Sequence, residues 1–114
     1  MSMDCVFCKI AAGEIPSDIL YRDEEVIAFP DINPLTPTHL LIVPRKHIPS
    51  LAHMADDETP IVGKMTRVAN QLAKEQGIGE SGYRLTINSG ADSGQIVPHL
   101  HMHLMGGRVL KWSH

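Results

Sequence analysis

The chain has 114 residues, 43% hydrophobic and 20% charged, and ten Lys plus Arg against thirteen Asp plus Glu give a formal net charge of -3. That length suits one domain over 1–114 with one core; the composition excludes a disordered chain, and the mild acidity offers no broad electrostatic footprint for nucleic acid. No apolar run reaches the length that spans a bilayer, and Met1-Ser2-Met3-Asp4-Cys5 carries neither a basic nor an apolar leader segment, so a cytoplasmic protein with no membrane partner is expected.

In chain order, Cys5 to Ala12 is expected to form a short helix closed by Gly13. Strands follow at Ile19-Leu20-Tyr21-Arg22 and Val26-Ile27-Ala28-Phe29, turning at Asp23-Glu24. The proline-rich segment Pro30 to Pro37 is irregular. His39-Leu40-Leu41-Ile42-Val43-Pro44 then reads as a buried, central strand because its bulky apolar run is continuous. From Asp56 to Gln76 the period changes to 3.6, with Ile61, Met65, Val68 and Leu72 on one face, Asp57 or Thr59 as caps, Pro60 in the first turn and Gly77 as the stop. Two strands complete the chain, Tyr83 to Asn88 and Val97 to Met105, joined by Ser89 to Gln95. Five strands and one long helix, with a short N-terminal helix, argue for an α+β fold built on a five-stranded antiparallel sheet.

The last strand carries the densest chemistry. His99-Leu100-His101-Met102-His103-Leu104 places a histidine at every second position, so an extended strand sends the three imidazoles to one face and Val97, Leu100, Met102 and Leu104 to the other. His99 and His103 would lie roughly 13 Å apart along an ideal strand, too far for one ion to hold all three. A division of labour follows, with one end serving a metal and the other a reacting group. A solvent-facing strand that merely carries histidines is the bland alternative.

Cys5-Val6-Phe7-Cys8 has the C-x2-C spacing of a zinc knuckle, but two thiolates make only half of a tetrahedral site. His47, after Arg45-Lys46, and His99 are the candidates for the other half; a pair of buried free cysteines is the alternative. The Gly-, Ser- and Asp-rich loop Ser89 to Gln95 could present backbone amides to a phosphate, or be an ordinary hairpin loop. Asn88 could add a side-chain donor beside it.

At these residues the chain resembles the histidine-triad family, whose signature is His-x-His-x-His followed by two apolar positions, here His99 to Met105. The resemblance continues through Phe7, Glu14-Ile15-Pro16, Phe29-Pro30-Asp31-Ile32, Pro44-Arg45-Lys46-His47-Ile48, Asn88-Ser89-Gly90, Gly94-Gln95, Gly106-Gly107-Arg108 and Trp112, which fall where the Hint branch carries like residues. It implies the fold of that family and cleavage of purine nucleoside 5′-phosphoramidates, such as adenosine 5′-phosphoramidate or lysyl-AMP, to AMP or GMP and an amine. The catalytic set it implies is His99, His101, His103 and His39: His101 attacks the α-phosphorus and carries a nucleotidyl intermediate, and His39 supports imidazole orientation. Phosphate oxygens fall to His103, Asn88 and the backbone of Gly94, Gln95 and Ile96.

By the same resemblance Asp31 takes the ribose hydroxyls, and Val6, Phe7, Ile10, Phe29 and Ile32 form the slot for the base, although Phe29 and Ile32 could equally be plain core. A structural zinc on Cys5, Cys8, His47 and His99 is implied, as is a homodimer in which Trp112 reaches towards the partner's site; the bland reading of Trp112 is a partly buried anchor. Ile96 stands where animal Hint proteins carry a serine, which implies slower or differently selective turnover. A dinucleoside polyphosphate hydrolase, or a non-catalytic zinc-containing nucleotide-binding or interaction protein, are the alternatives.

Overall fold

The computed structural model describes residues 5–112; Met1 to Asp4, part of the segment on which the expectation of no leader rests, lie outside them. Among the described residues, helix α1 (Val6–Ala11) precedes strands β1 (Tyr21–Arg22), β2 (Val26–Pro30) and β3 (Thr38–Pro44); helix α2 (Pro60–Glu75) and strands β4 (Tyr83–Thr86) and β5 (Met102–Gly106) follow. The strands form one antiparallel sheet in the order β1-β2-β3-β5-β4. The expected α+β architecture is the observed one.

Each face of this sheet is covered by a different helix, and the strand pleat sorts the side chains between them. Val26, Ala28, Leu40, Ile42, Met102 and Leu104 pack with Met65, Val68 and Leu72 of α2. Ile27, Phe29, Leu41 and Val43 pack instead with Phe7, Ile10 and Ala11 of α1. Burial on both faces explains why β2 and β3 read as continuous apolar runs rather than alternating ones.

The long helix begins with Pro60 in its first turn, where a missing amide hydrogen has no intrahelical partner to lose. Thr59 is its N-cap residue, but its hydroxyl donates to the Asp56 carbonyl instead of capping the helix, and Asp57 lies in a 3-10 turn, Asp56–Glu58.

Two expectations about the last strand need correction. It starts at Met102, not Val97, because Pro98 has no amide hydrogen for a ladder; the chain bends there, with the His99 amide donating to the Val97 carbonyl at 2.8 Å and that of Leu100 to Ile48 at 2.6 Å. Val97 lies on the α1 side with the Phe7 cluster, because it is two positions before His99 and so shares the face of the histidines, while Leu100, Met102 and Leu104 face α2 as expected. The strand Tyr83 to Asn88 is likewise shorter, ending at Thr86.

After β5 the chain turns sharply against the proline-rich segment. Gly107 has φ +96°, and a Cβ there would stand 2.8 Å from Cβ of Pro37. Gly107→Ala is therefore expected to lower unfolding free energy by about 1–3 kcal/mol, the usual scale of a strained residue. Leu104→Ala, which empties a fully buried position under α2, is expected to cost about 2–5 kcal/mol. Urea unfolding of both variants, with an unchanged denaturant slope, is the check.

Candidate functional site

All the titratable groups of interest lie on the α1 side of the sheet. Antiparallel register sets His103 opposite Leu41 and His39 opposite Met105, which makes His39 and His103 diagonal neighbours across β3 and β5. Their rings meet, with His39 Nε2 2.9 Å from His103 Nδ1. His101 stacks edge-on beside His103 at 5.0 Å between ring centroids and against Phe7 at 5.1 Å.

Hydrogen bonds to backbone groups assign the protons on these rings. The Leu35 amide donates to His39 Nδ1 at 3.0 Å, so Nδ1 is an acceptor and Nε2 carries the hydrogen. That hydrogen points to His103 Nδ1, which leaves the His103 proton on Nε2 as a free donor. In His101 the order is reversed: Nδ1–H donates to the His99 carbonyl at 2.7 Å, leaving a lone pair on Nε2. No buried side-chain nitrogen or oxygen among the described residues lacks a partner, so the unpartnered Nε2 atoms of His101 and His103 reach solvent. One nucleophilic nitrogen thus stands beside one donor.

Burial pushes the His103 imidazole down to about 4, aided by the neighbouring His101 and His39, and pushes His39 down as well against the opposing pull of Asp31. Both rings are neutral at pH 7, as the proton assignment requires. Asp31 lies beside them, with Oδ2 3.4 Å from His39 Nε2 and Oδ1 accepting the Asn33 amide at 2.9 Å. Asp31, His39 and His103 bring their donor atoms within 4.8 Å of one another. A cation there would need the His39 Nε2 lone pair, which the Leu35 amide denies by occupying Nδ1.

The second cluster has the opposite logic. Cys5, Cys8, His47 and His99 also bring one ligand atom each within 4.8 Å. His99 Nε2–H donates to the Pro44 carbonyl at 2.8 Å, which frees Nδ1 for the cluster. His99 Nδ1 stands 3.3 Å from Cys5 Sγ, 3.5 Å from Cys8 Sγ and 3.1 Å from His47 Nδ1, and Cys8 Sγ is 3.3 Å from His47 Nδ1. Bonds of zinc length in a tetrahedron would set such N···N and S···N edges at about 3.3 and about 3.5 Å. Two thiols and two imidazole nitrogens at that spacing fit one borderline-soft tetrahedral cation, and burial holds His99 down at about 4, so its ring is available as a neutral ligand.

The division of labour expected along the histidine run is therefore physical: His99 belongs to the cysteines, and His101 and His103 belong with His39. The remaining candidates are unevenly placed. Phe7, Ile10 and Phe29 are buried together, with the Phe7 and Phe29 rings edge-on at 5.7 Å, whereas Val6 is partly exposed and Ile32 is 91% exposed. In the loop, the amides of Gly94 and Gln95 are spent on the carbonyls of Ala91 and Gly90, so of the three amides assigned to phosphate only that of Ile96 has no partner among the described residues. The Gln95 side chain staples the loop to the carbonyls of Pro49 and Val97 and takes the Gly90 amide. Asn88 is half-buried at the end of this loop, and Trp112 is 94% exposed.

Sequence reasoning missed the backbone groups that set the tautomers, the Leu35 amide and the carbonyls of Pro44 and His99. It also missed Arg45, whose guanidinium joins the Asp23 carbonyl to the last carbonyl of α1 at Ala11. No side-chain pattern announces a main-chain partner, although an arginine two residues before a ligand histidine is a visible hint.

A family model described as scavenger mRNA decapping enzyme C-term binding matches residues 4–111. Purine nucleoside phosphoramidase of Escherichia coli K12 is 46% identical over 96% of this chain and 92% of its own length. A histidine triad protein from Clostridium difficile superposes with a TM-score of 0.95 at 49% identity, covering 97% of this chain and 96% of that one. A zinc-bound histidine triad family protein from Mycobacterium smegmatis superposes with a TM-score of 0.81 at 31% identity, over 95% of this chain and 78% of its own.

The depressed His103 value carries a stability consequence with a definite sign. The unfolded imidazole takes its proton near 6.5 and the folded one only near 4, so the unfolded state binds more protons in between and stability falls as pH drops across that window. The urea midpoint is expected to fall between pH 7 and pH 4.5, and to fall less in His103→Gln, as read by fluorescence or circular dichroism at each pH.

Proposed function

From the premise that the chain belongs to the histidine-triad family and is a hydrolase of that family, we propose that it cleaves purine nucleoside 5′-phosphoramidates through a nucleotidyl-histidine intermediate. The observation that carries this reading is the opposed tautomers of neighbouring rings: His101 offers a lone pair on Nε2, and His103 offers a proton on Nε2.

In the first step His101 Nε2 attacks the α-phosphorus, a nitrogen–phosphorus bond to the enzyme forms, and the bond to the leaving amine breaks as the amine takes up a proton from solvent. In the second, water attacks the same phosphorus and gives up a proton to solvent, the bond to His101 breaks, and the nucleoside monophosphate leaves. Splitting one displacement into two lowers each barrier. His103 Nε2–H serves an equatorial phosphate oxygen, and Leu35 and His39 hold it in that tautomer before substrate arrives; a donor already aimed costs no reorganisation in the transition state. Asn88 and the Ile96 amide are the remaining donors for the phosphate, and Asp31 is the acceptor for ribose hydroxyls. Phe7, Ile10 and Phe29 wall the purine, with Val6 and Ile32 at its open edge.

Zinc is the cation proposed for Cys5, Cys8, His47 and His99, in a structural role: four protein ligands close a tetrahedron and leave no position for substrate. Its contribution is to tie the N-terminal helix to the segment after β3 and to the turn before β5. A homodimer is proposed as the working form, supported by the exposed Val109 and Trp112 near the C-terminal end and by β4 at the edge of the sheet. No described helix is long and apolar enough to cross a membrane.

His101→Ala is expected to reduce hydrolysis of adenosine 5′-phosphoramidate by at least about a thousandfold while AMP still binds, because the nucleophile has no substitute on the same face. Followed by AMP release, wild-type turnover should also exceed that on a dinucleoside polyphosphate; the reverse order would move the assignment to phosphoanhydride cleavage. Cys8→Ser is expected to lower the metal content from one zinc per chain, measured by elemental analysis of the purified protein, and to reduce the melting temperature.

A further inference from the structure

The metal cluster and the reacting histidine share a residue. His99 is fully buried, and both of its ring nitrogens are engaged, Nε2 on the Pro44 carbonyl and Nδ1 among the thiols. Its main-chain carbonyl is the group that takes Nδ1–H of His101 at 2.7 Å. Whatever fixes the His99 ring therefore fixes the orientation of the peptide that decides which nitrogen of His101 carries the proton.

A second connection runs through the N-terminal helix. Cys5 is its N-cap residue, whose sulfur accepts the Cys8 amide, and Cys8 lies in its first turn. Phe7, held between the two cysteines, places its ring edge-on against His101 at 5.1 Å, His99 at 5.8 Å and Phe29 at 5.7 Å. A helix of six residues is far too short to persist by its own hydrogen bonds, so its place depends on Phe7, Ile10 and Ala11 in the sheet and on the two sulfurs.

We propose that Cys5, Cys8 and His47 are positioning residues for the hydrolytic reaction: the cation they share with His99 locks the His101 imidazole in its Nδ1–H tautomer and holds the Phe7 ring against it. This rests on the reading of His101 as nucleophile and of the four-residue cluster as the zinc centre. In a metal-free chain the Nδ1 atoms of His47 and His99, 3.1 Å apart, stay together only while one ring keeps its proton on Nδ1 and donates to the other; in the other His47 tautomer two lone pairs face each other and the rings part. When His99 moves, its carbonyl leaves His101 Nδ1, and the imidazole is free to carry its proton on Nε2, where it has no lone pair for phosphorus. The fraction of molecules in the competent tautomer then sets kcat, whereas the groups that hold phosphate and ribose are unaffected, so KM moves only through the loosened Phe7 wall of the purine slot.

The test compares three zinc-reconstituted preparations, wild type, His47→Ala and His101→Ala, by long-range 1H–15N correlation of the imidazole rings and by turnover of adenosine 5′-phosphoramidate. Wild type is expected to show His101 as a single Nδ1–H tautomer. His47→Ala is expected to show mixed tautomers and a kcat lower by about tenfold, within the range that follows loss of groups supporting a metal ligand, with KM within about threefold of wild type. A folded His47→Ala chain that has lost zinc yet keeps the single tautomer and the wild-type kcat overturns the proposal. If that variant does not fold, wild type exchanged with cadmium, a larger thiophilic ion, replaces it: displaced His101 nitrogen signals with an altered kcat support the proposal, and unchanged signals and kcat overturn it. Turnover that survives in His101→Ala sinks the nucleophile reading instead, and the tautomer comparison in the other two preparations still decides whether the clamp positions the ring.

Discussion

The pleat of β3 and β5 is the constraint on which the rest depends. Two central strands buried on both faces must send every second side chain to α2 and the others to the N-terminal helix. Leu40, Ile42, Met102 and Leu104 supply the apolar area that anchors the sheet to α2, and the same alternation leaves His39, His101 and His103 together on the opposite side. Slipping β5 by one residue would put imidazoles into the α2 core and leucines into the site, so the register that stabilises the fold is the register that assembles the chemistry.

Burying His39, His99 and His101, with His103 half-buried beside them, is costly unless each ring nitrogen is matched or reaches water. The chain meets that cost mainly with main-chain groups: the Leu35 amide for His39, the Pro44 carbonyl for His99 and the His99 carbonyl for His101. Each of these bonds fixes a tautomer as well as an orientation. Identical side chains consequently acquire different abilities within a few ångströms, one as a ligand, one with an open lone pair and one as a donor. Desolvation works in the same direction, since it keeps His39, His99 and His103 in their neutral forms.

The segments that bring these partners in are irregular. Pro30 to Pro37 delivers the Leu35 amide and Asp31, the stretch after β3 delivers His47, and the bend at Pro98 takes His99 out of the ladder and into the sulfur cluster. Irregular backbone is here a positioning device, held by Gln95 on one side and by Arg45 on the other. The rigid sheet provides the platform, and the loops select which nitrogen faces which partner.

Patterning alone determined the element types, the central place of β3, the helical face of α2 and the parity of Leu100, Met102 and Leu104, because hydrophobic period reports directly on which face is buried. The spacing of the histidines also announced that one ion could not hold them all, and the Cys-x-x-Cys pair announced half of a metal site. The sequence also offered His47 and His99 as partners for that pair; what only the tertiary structure decided was that the four ligand atoms meet within 4.8 Å and that β5 starts at Met102. It also decided that the amides of Gly94 and Gln95 are spent inside their own loop. These depend on main-chain donors and acceptors, which every residue carries alike, and on contacts between residues up to 94 positions apart. A sequence shows which side chains can do chemistry, but the proton on an imidazole is placed by whichever backbone group the fold brings beside it.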